Sequence, residues 1–227
     1  ATEAPGIRLA WNKIVKPAAE AIRQVEKWGV EVDLNAITNF QAYLGQRKTE
    51  LKGRMMQWGD FEPGNPYSVG AHLFEKLKLP GGVKTGKSGQ WSTAAEVLED
   101  LAKRSSHPLP SMVVAYKKLE KMDGTYATGM KVHIRDDGRI HTKLLLDGTT
   151  TGRLSSQMPN LQNIPRDADT AEGKMARNCF VAPEGRVLLS ADFSQLELRI
   201  AAALSGDEGM REIFEMGGDF HQRTAEF

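Results

Sequence analysis

Cysteine is nearly absent: Cys179 is the only one in 227 residues. A lone thiol excludes an internal disulfide, and no cluster of Cys or His has zinc-ligand spacing, so a reducing cytoplasm without structural zinc is the expected setting. Long apolar runs are missing too. No stretch approaches the roughly 20 residues a membrane-spanning helix needs, and the N-terminal ATEAPGIRLAW lacks the apolar core of a signal peptide. No membrane partner is expected. There is no fixed-period repeat and no low-complexity tract, which excludes solenoids and compositional tails. An excess of one charge is absent as well: the formal net charge is +1, so the overall balance does not announce a polyanion binder. What remains is ordinary, with 40% apolar and 26% charged residues and enough length for one or two domains with their own cores.

The first part of the chain reads as helical. Trp11, Ile14, Val15, Ala18, Ile22 and Val25 recur at three- and four-residue steps up to Gly29, with Pro17 at a break or a fresh first turn. After an extended VEVD, Asp33 can cap a second helix whose inward face is Ile37, Phe40, Leu44 and Leu51. These two long helices are expected to pair antiparallel. NPYSVGAHLFEKLKL predicts a shorter helix with Val69, Leu73, Phe74 and Leu77 inward and Pro80 as its stop. Thr93 and Glu96 have the spacing of a capping box ahead of AAEVLEDLAKR, and SMVVAYKKLEKM predicts a last helix up to Asp123 and Gly124. Beyond about residue 128 the pattern changes. KVHIRDDGRIHTKLLL alternates around DDG as a β-hairpin does, and RVLLSA reads as a further strand. The expected class is α+β, a mainly helical region followed by part of an antiparallel sheet with packed helices.

Local charge says more than the total. Lys76, Lys78, Lys84, Lys87, Lys103, Arg104, Lys117, Lys118 and Lys121 outnumber the acids around them mid-chain. A solvated face of helices explains such a run, and so does contact with a polyanion. Within it, GGVKTGKS fits the phosphate-cradling pattern GxxxxGKS letter for letter. That mechanism needs a strand before the loop and a helix starting at the lysine, so that backbone amides converge on the phosphates. HLFEKLKL before it has helical spacing and Gly89 follows Ser88, so the expectation is a mobile basic loop that presents Lys84 and Lys87.

VLLSADFSQLELRIAA carries the clearest candidate for chemistry. An apolar strand pattern ends at Asp192, and an amphipathic helix with Glu197 and Arg199 follows. A carboxylate at the end of a rigid strand is well placed to act. It is also well placed to cap the next helix, and Ser194 with Glu197 has capping-box spacing, so both acids have a purely structural alternative. Upstream, DGTTTGRLSSQMPNLQNIPRD gathers Arg153, Asn160, Gln162 and Asn163, donors suited to minor-groove acceptors and phosphate oxygens, or to the loop's own backbone. Downstream, GGDFHQRTAEF places His221 and Arg223 at the start of another helix, where a histidine faces either solvent or a phosphate.

TTTGRLSS, then PNLQNIP, then SADFSQLELR, then DFHQRTA, in that order and with those gaps, is similar to the family A DNA polymerases, the bacterial DNA polymerase I type with many phage members. LFEKLKLP, KTGKSGQWST and the helices around HPLP resemble that family's thumb. The resemblance implies a thumb-like region over 1–128, the first half of a palm over 129–206 and the start of the fingers over 207–227. It implies that Asp192 and the Phe193 backbone carbonyl bind two magnesium ions, with Asp192 catalytic. Ser194, Gln195, Glu197 and His221 would contact the deoxynucleoside triphosphate, Glu197 as the wall that disfavours ribonucleotides. Arg153, Asn160, Gln162, Asn163, Lys84 and Lys87 would hold primer-template DNA.

The same resemblance marks what the sequence does not contain: the fingers helix with its nucleotide-gripping residues and the palm motif with a second catalytic aspartate. It therefore implies a fragment or one half of a split enzyme, inactive alone, whose remaining segment acts in cis or in trans in a bacterial or phage-infected cytoplasm. The rival reading is a non-catalytic module that binds primer-template duplex.

Overall fold

The computed structural model describes residues 5–86, 88–165 and 170–225 and divides the chain into two compact units, Ala1–Arg186 and Val187–Phe227. The first unit opens with α1 (Pro5–Ala10), a π-helical turn over Trp11–Val15 and α2 (Lys16–Trp28). Pro17 occupies the first turn of α2, where its missing N–H costs no helical hydrogen bond, and Gly29 ends the helix at a φ of 62°. The apolar stripe read from this stretch is not a buried face: Trp11, Ile14 and Val25 are exposed.

The expected antiparallel pairing of the first two helices does not occur. Strand β1 (Val30–Val32) intervenes, and α3 (Leu34–Met55) packs instead against α6 (Leu109–Met122) and α8 (Ala171–Asn178). The α3 prediction itself holds. Asp33 Oδ1 accepts the amides of Asn35 and Ala36 at 2.8 and 3.1 Å, and Ile37, Phe40, Leu44 and Leu51 are buried together with Met55.

Asn65 caps α4 (Pro66–Gly70), which continues as a π-helical segment over Ala71–Lys76 and buries Val69, Leu73 and Phe74. Helix α5 (Ala95–Arg104) packs on α6. The capping box read at Thr93 and Glu96 is absent: Ala94 is the N-cap, with no side-chain cap bond. Thr93 Oγ1 accepts Lys117 Nζ at 2.9 Å, so a partner 24 residues away takes the oxygen the cap would have used.

Helix α6 runs into a π-helical turn (Asp123–Ala127) and then α7 (Thr128–Lys131). The hairpin read around DDG is correspondingly short. Its first arm is reduced to a single bridge between Ile134 and Ile140, because the residues before it are helical; Gly138, at a φ of 74°, makes the turn. Strand β2 (Arg139–Ile140) and β5 (Phe180–Val181) flank β1 in an antiparallel sheet, with Val30 opposite Ile140 and Val32 opposite Phe180. Ile140, Ala176 and Cys179 join the helical residues in one core. A second hairpin pairs β3 (Lys143–Leu145) with β4 (Ser155–Gln157).

In the second unit, the expected strand RVLLSA is not formed. Residues 186–193 are irregular, and Val187 and Leu189 are 87% and 90% exposed. The apolar pattern is that of a strand, but a strand is stable only when a neighbour takes its backbone N–H and C=O groups. Helix α9 (Leu196–Ser205), α10 (Glu208–Glu215) and α11 (Phe220–Ala225) follow. The Arg199 guanidinium lies 4.6 Å from the Phe214 ring centroid, and Phe214 stacks on Phe220 at 6.3 Å. No helix among the described residues is long and apolar enough to cross a membrane.

Candidate active site and nucleic-acid interface

Asp192 stands exposed on the irregular segment ahead of α9, and it is not that helix's cap. The N-cap is Gln195, in the left-handed region at a φ of 53° and with no side-chain cap bond. Ser194 therefore lies one residue outside the cap position, and the Ser194–Glu197 capping box is not formed at that register. Asp192, three residues before that N-cap, lies outside the cap position its structural alternative requires. The Ser194 carbonyl accepts Arg199 Nε at 2.9 Å, and Gln195 Oε1 accepts the Phe220 amide at 3.3 Å. This last bond ties the start of α9 to the start of α11, which carries His221.

His221 is exposed, and Asp219 caps its helix by accepting the amides of His221 and Gln222 at 2.8 and 3.1 Å. Gln222's amide, with that of His221 behind it, holds the Asp219 carboxyl below the usual carboxylate range. Asp192, Phe193, Ser194, Gln195, Glu197 and His221 thus share the second unit.

Arg153, Asn160, Gln162 and Asn163 are brought together in the first unit, at the β3–β4 hairpin and the turn after it. The loop between the strands is closed by Thr149 Oγ1, which donates to the Arg153 carbonyl at 2.8 Å; Arg153 itself is exposed. Asn160 caps a short 3₁₀ turn (Leu161–Asn163) by accepting the Gln162 amide at 3.0 Å. Gln162 is used differently from the expectation that its amide meets DNA. Its Nε2 donates to the Leu154 carbonyl at 2.9 Å, and its Oε1 accepts the Ser156 amide at 3.1 Å, so the side chain supports the loop from within.

Sequence reading passed over three residues here. Buried Ser156 shares a 2.6 Å contact between its hydroxyl and that of Thr142, and accepts the Leu161 amide at 3.0 Å. The Tyr126 hydroxyl donates to the Asn163 carbonyl. The paired serines of TGRLSS were the one local signal for the first of these; Tyr126 lies 37 residues from its partner and gave none.

The loop containing GGVKTGKS has no cradle geometry. A helical segment precedes it and the next helix begins at Ala95. On either side of Lys87 the loop is held by hydrogen bonds: Thr85 N donates to Gln90 O at 2.8 Å, Ser92 N to Val83 O at 2.7 Å, and the Thr85 and Ser88 hydroxyls meet at 2.7 Å. Lys84 Nζ sits 4.8 Å from the centroid of the Trp91 ring, which orients the cation on the loop's surface. Lys87 lies outside the described residues.

Hard oxygen donors such as the Asp192 carboxylate and the Phe193 carbonyl suit magnesium. Among the described residues, however, no three His, Cys, Asp or Glu side chains cluster as a metal site. The donor chemistry fits; one carboxylate is too few to hold a pair of ions.

The model of DNA polymerase family A matches residues 35–227. The chain belongs to that family. It is 41% identical over 211 residues to DNA polymerase I of Lactococcus lactis subsp. lactis, covering 92% of this chain and 23% of that one. It is 38% identical over 230 residues to the thermostable DNA polymerase I of Thermus thermophilus, covering 96% and 26%. The chain thus spans about a quarter of the length of these curated relatives. Among solved structures it is similar to the POL domain of Pol1 from M. smegmatis in complex with DNA primer-template and dNTP. The TM-score is 0.81 and the identity 31%, over 94% of this chain and 37% of that one.

Proposed function

We propose that this chain supplies the thumb and the first part of the palm of a DNA-directed DNA polymerase. In the reaction, a primer 3′ hydroxyl attacks the α-phosphate of a deoxynucleoside triphosphate and releases pyrophosphate. The observation that carries the reading is the likeness, over 94% of this chain, to a polymerase domain solved with primer-template and dNTP. The exposed, non-capping position of Asp192 supports a ligand role for it, since a carboxylate left out of the helix cap has its oxygens available.

Asp192 and the Phe193 carbonyl would hold magnesium from one side, with further carboxylate from a segment outside the described residues. Charge neutralisation and in-line alignment at the α-phosphate are the chemistry bound magnesium supplies in such a site. The chain's own groups do the rest. The amides of the first turn of α9, which the N-cap residue Gln195 leaves uncapped by its side chain, are suited to phosphate oxygens. Glu197 limits space beside the sugar, and His221 faces the triphosphate. Arg153 and Asn160 steady the primer terminus, while Lys84 and Lys87 follow the duplex backbone.

The exposed apolar segment Val187–Leu189 and the single candidate metal carboxylate support a partner segment, in cis or in trans, that completes the sheet and the site. The test is primer extension. The 227-residue chain alone should extend no primer with magnesium and four deoxynucleotides, and addition or fusion of a family A segment bearing the fingers and the second aspartate should restore extension. Robust extension by the chain alone would refute the split-site reading, and no extension after complementation would favour a duplex-binding module.

A further inference from the structure

Three exposed polar residues, Asn160, Gln162 and Asn163, belong to a turn with two apolar anchors, and Arg153 is on the loop before it. Leu161 and Ile164 pack against the core on either side of Gln162 and Asn163. Apolar anchors hold a turn against the body of the protein but do not fix its rotation, because dispersion has little directionality. Fixing the rotation takes hydrogen bonds. One set lies inside the loop, through Gln162 to Leu154 and Ser156. Among the described residues, two directional bonds reach this stretch from the helical body: Arg177 Nε of α8 donates to the Pro165 carbonyl at 2.9 Å, beyond the second anchor, and the Tyr126 hydroxyl donates to the Asn163 carbonyl, within the turn itself.

Tyr126 is itself held firmly. It is buried on the π-helical turn Asp123–Ala127. That turn is fastened to α3 through Asp123, which meets Lys48 Nζ at 2.6 Å and accepts the Thr128 hydroxyl at 2.8 Å. Gln41 Nε2 of α3 donates to the same Thr128 hydroxyl at 2.7 Å. Burial raises the Tyr126 pKa, which keeps its hydroxyl protonated and therefore a donor. A continuous path of directional contacts runs from α3, through the π turn and Tyr126, to Asn163, Gln162 and the strand entry beside Arg153.

We infer that Tyr126 is a positioning residue of this polymerase, its hydroxyl setting the orientation of the turn that carries Asn160 and supports Arg153 against the primer terminus. The inference rests on the polymerase reading above. It predicts that removing the hydroxyl alone leaves the core intact and loosens the loop.

The experiment uses the 227-residue chain with Tyr126→Phe. Amide exchange over residues 154–163 should quicken by about three- to tenfold, the range expected for the loss of one hydrogen bond, with α3 and α6 unchanged. Affinity for a labelled primer-template duplex should weaken by a similar factor. Arg153→Ala should weaken it too, and the double variant should lose less than the product of the two single losses, because part of the Tyr126→Phe effect passes through Arg153. Unchanged exchange in the loop would overturn the clamp. Faster loop exchange with unchanged duplex affinity, in a chain that Arg153→Ala does weaken, would overturn the positioning role while leaving the polymerase reading in place. If Arg153→Ala does not weaken duplex binding, the loop's assignment to DNA fails, and the positioning role falls with it. Should Tyr126→Phe speed exchange in α3 and α6 as well, Gln162→Leu cuts the next link without touching the core; it must then reproduce the loop-limited loss, and failure to do so overturns the path.

Discussion

Lys117 Nζ donates to both the carbonyl and the hydroxyl of Thr93, at 2.8 and 2.9 Å. This ammonium joins α6 to the residue just ahead of α5, and neither of its two partners there is an acid. Burial holds its pKa below the ordinary 10.5, with a smaller opposing pull from Glu120.

The first prediction follows from that shift. Because the folded-state pKa is depressed, the unfolded chain binds more protons between the two values, so stability contributed by this group rises with pH up to about 10.5. In Lys117→Met that slope disappears. Urea unfolding at steps from neutral pH to 10.5 should show wild type gaining on the variant as pH rises; a constant gap would show that Lys117 carries no desolvation penalty.

The same contact explains why local reading failed where it did. Asp33 and the face Ile37, Phe40, Leu44 and Leu51 were legible because a cap acts over two or three residues and a helix repeats every 3.6. Thr93 was misread because its oxygen answers to a residue 24 positions on. Segment 186–191 has a strand's pattern, but pattern specifies only the faces of a strand; the ladder comes from a neighbour, and none is seen among the described residues. At the candidate site, motif order identified Asp192 and the loop around Arg153. The division of labour inside the loop was not legible, since whether an amide such as that of Gln162 faces DNA or its own backbone depends on contacts six to eight residues away.

The second prediction separates metal ligand from scaffold. Asp192 is exposed and caps no helix, so Asp192→Ala should change the chain's stability by less than about 0.5 kcal/mol. In the completed polymerase the same change should nearly abolish turnover and leave primer-template affinity within a few fold, as expected for a group acting chiefly in the transition state. Arg153→Ala should slow extension less and weaken duplex binding more, and that binding should fall steeply with salt. Single-turnover extension and duplex anisotropy measured in parallel decide it. Equal, mild losses in both variants would remove Asp192 from the metal site.

The last prediction concerns the second acid of the same segment. With Gln195 as the N-cap of α9, Glu197 lies in the helix's first turn rather than in a capping box with Ser194. A first-turn carboxylate interacts favourably with the helix N-terminus, by about 0.3–1 kcal/mol, so Glu197→Ala should lower stability by at least part of that amount. Its proposed functional contribution is of a different kind. A side chain that fills the space beside the sugar's 2′ carbon discriminates by excluding the hydroxyl of a ribonucleotide, and truncation to alanine removes the obstacle without removing any contact the deoxynucleotide needs. Discrimination should therefore fall by orders of magnitude through faster ribonucleotide insertion, while deoxynucleotide insertion changes little. Glu197→Gln, which keeps the volume and removes the charge, should retain most of the discrimination if exclusion is steric. The measurement is the ratio of ribonucleotide to deoxynucleotide kcat/KM in the complemented enzyme for all three proteins. An unchanged ratio in Glu197→Ala would sink the sugar-wall assignment, and a loss as large in Glu197→Gln as in Glu197→Ala would move its cause from volume to charge.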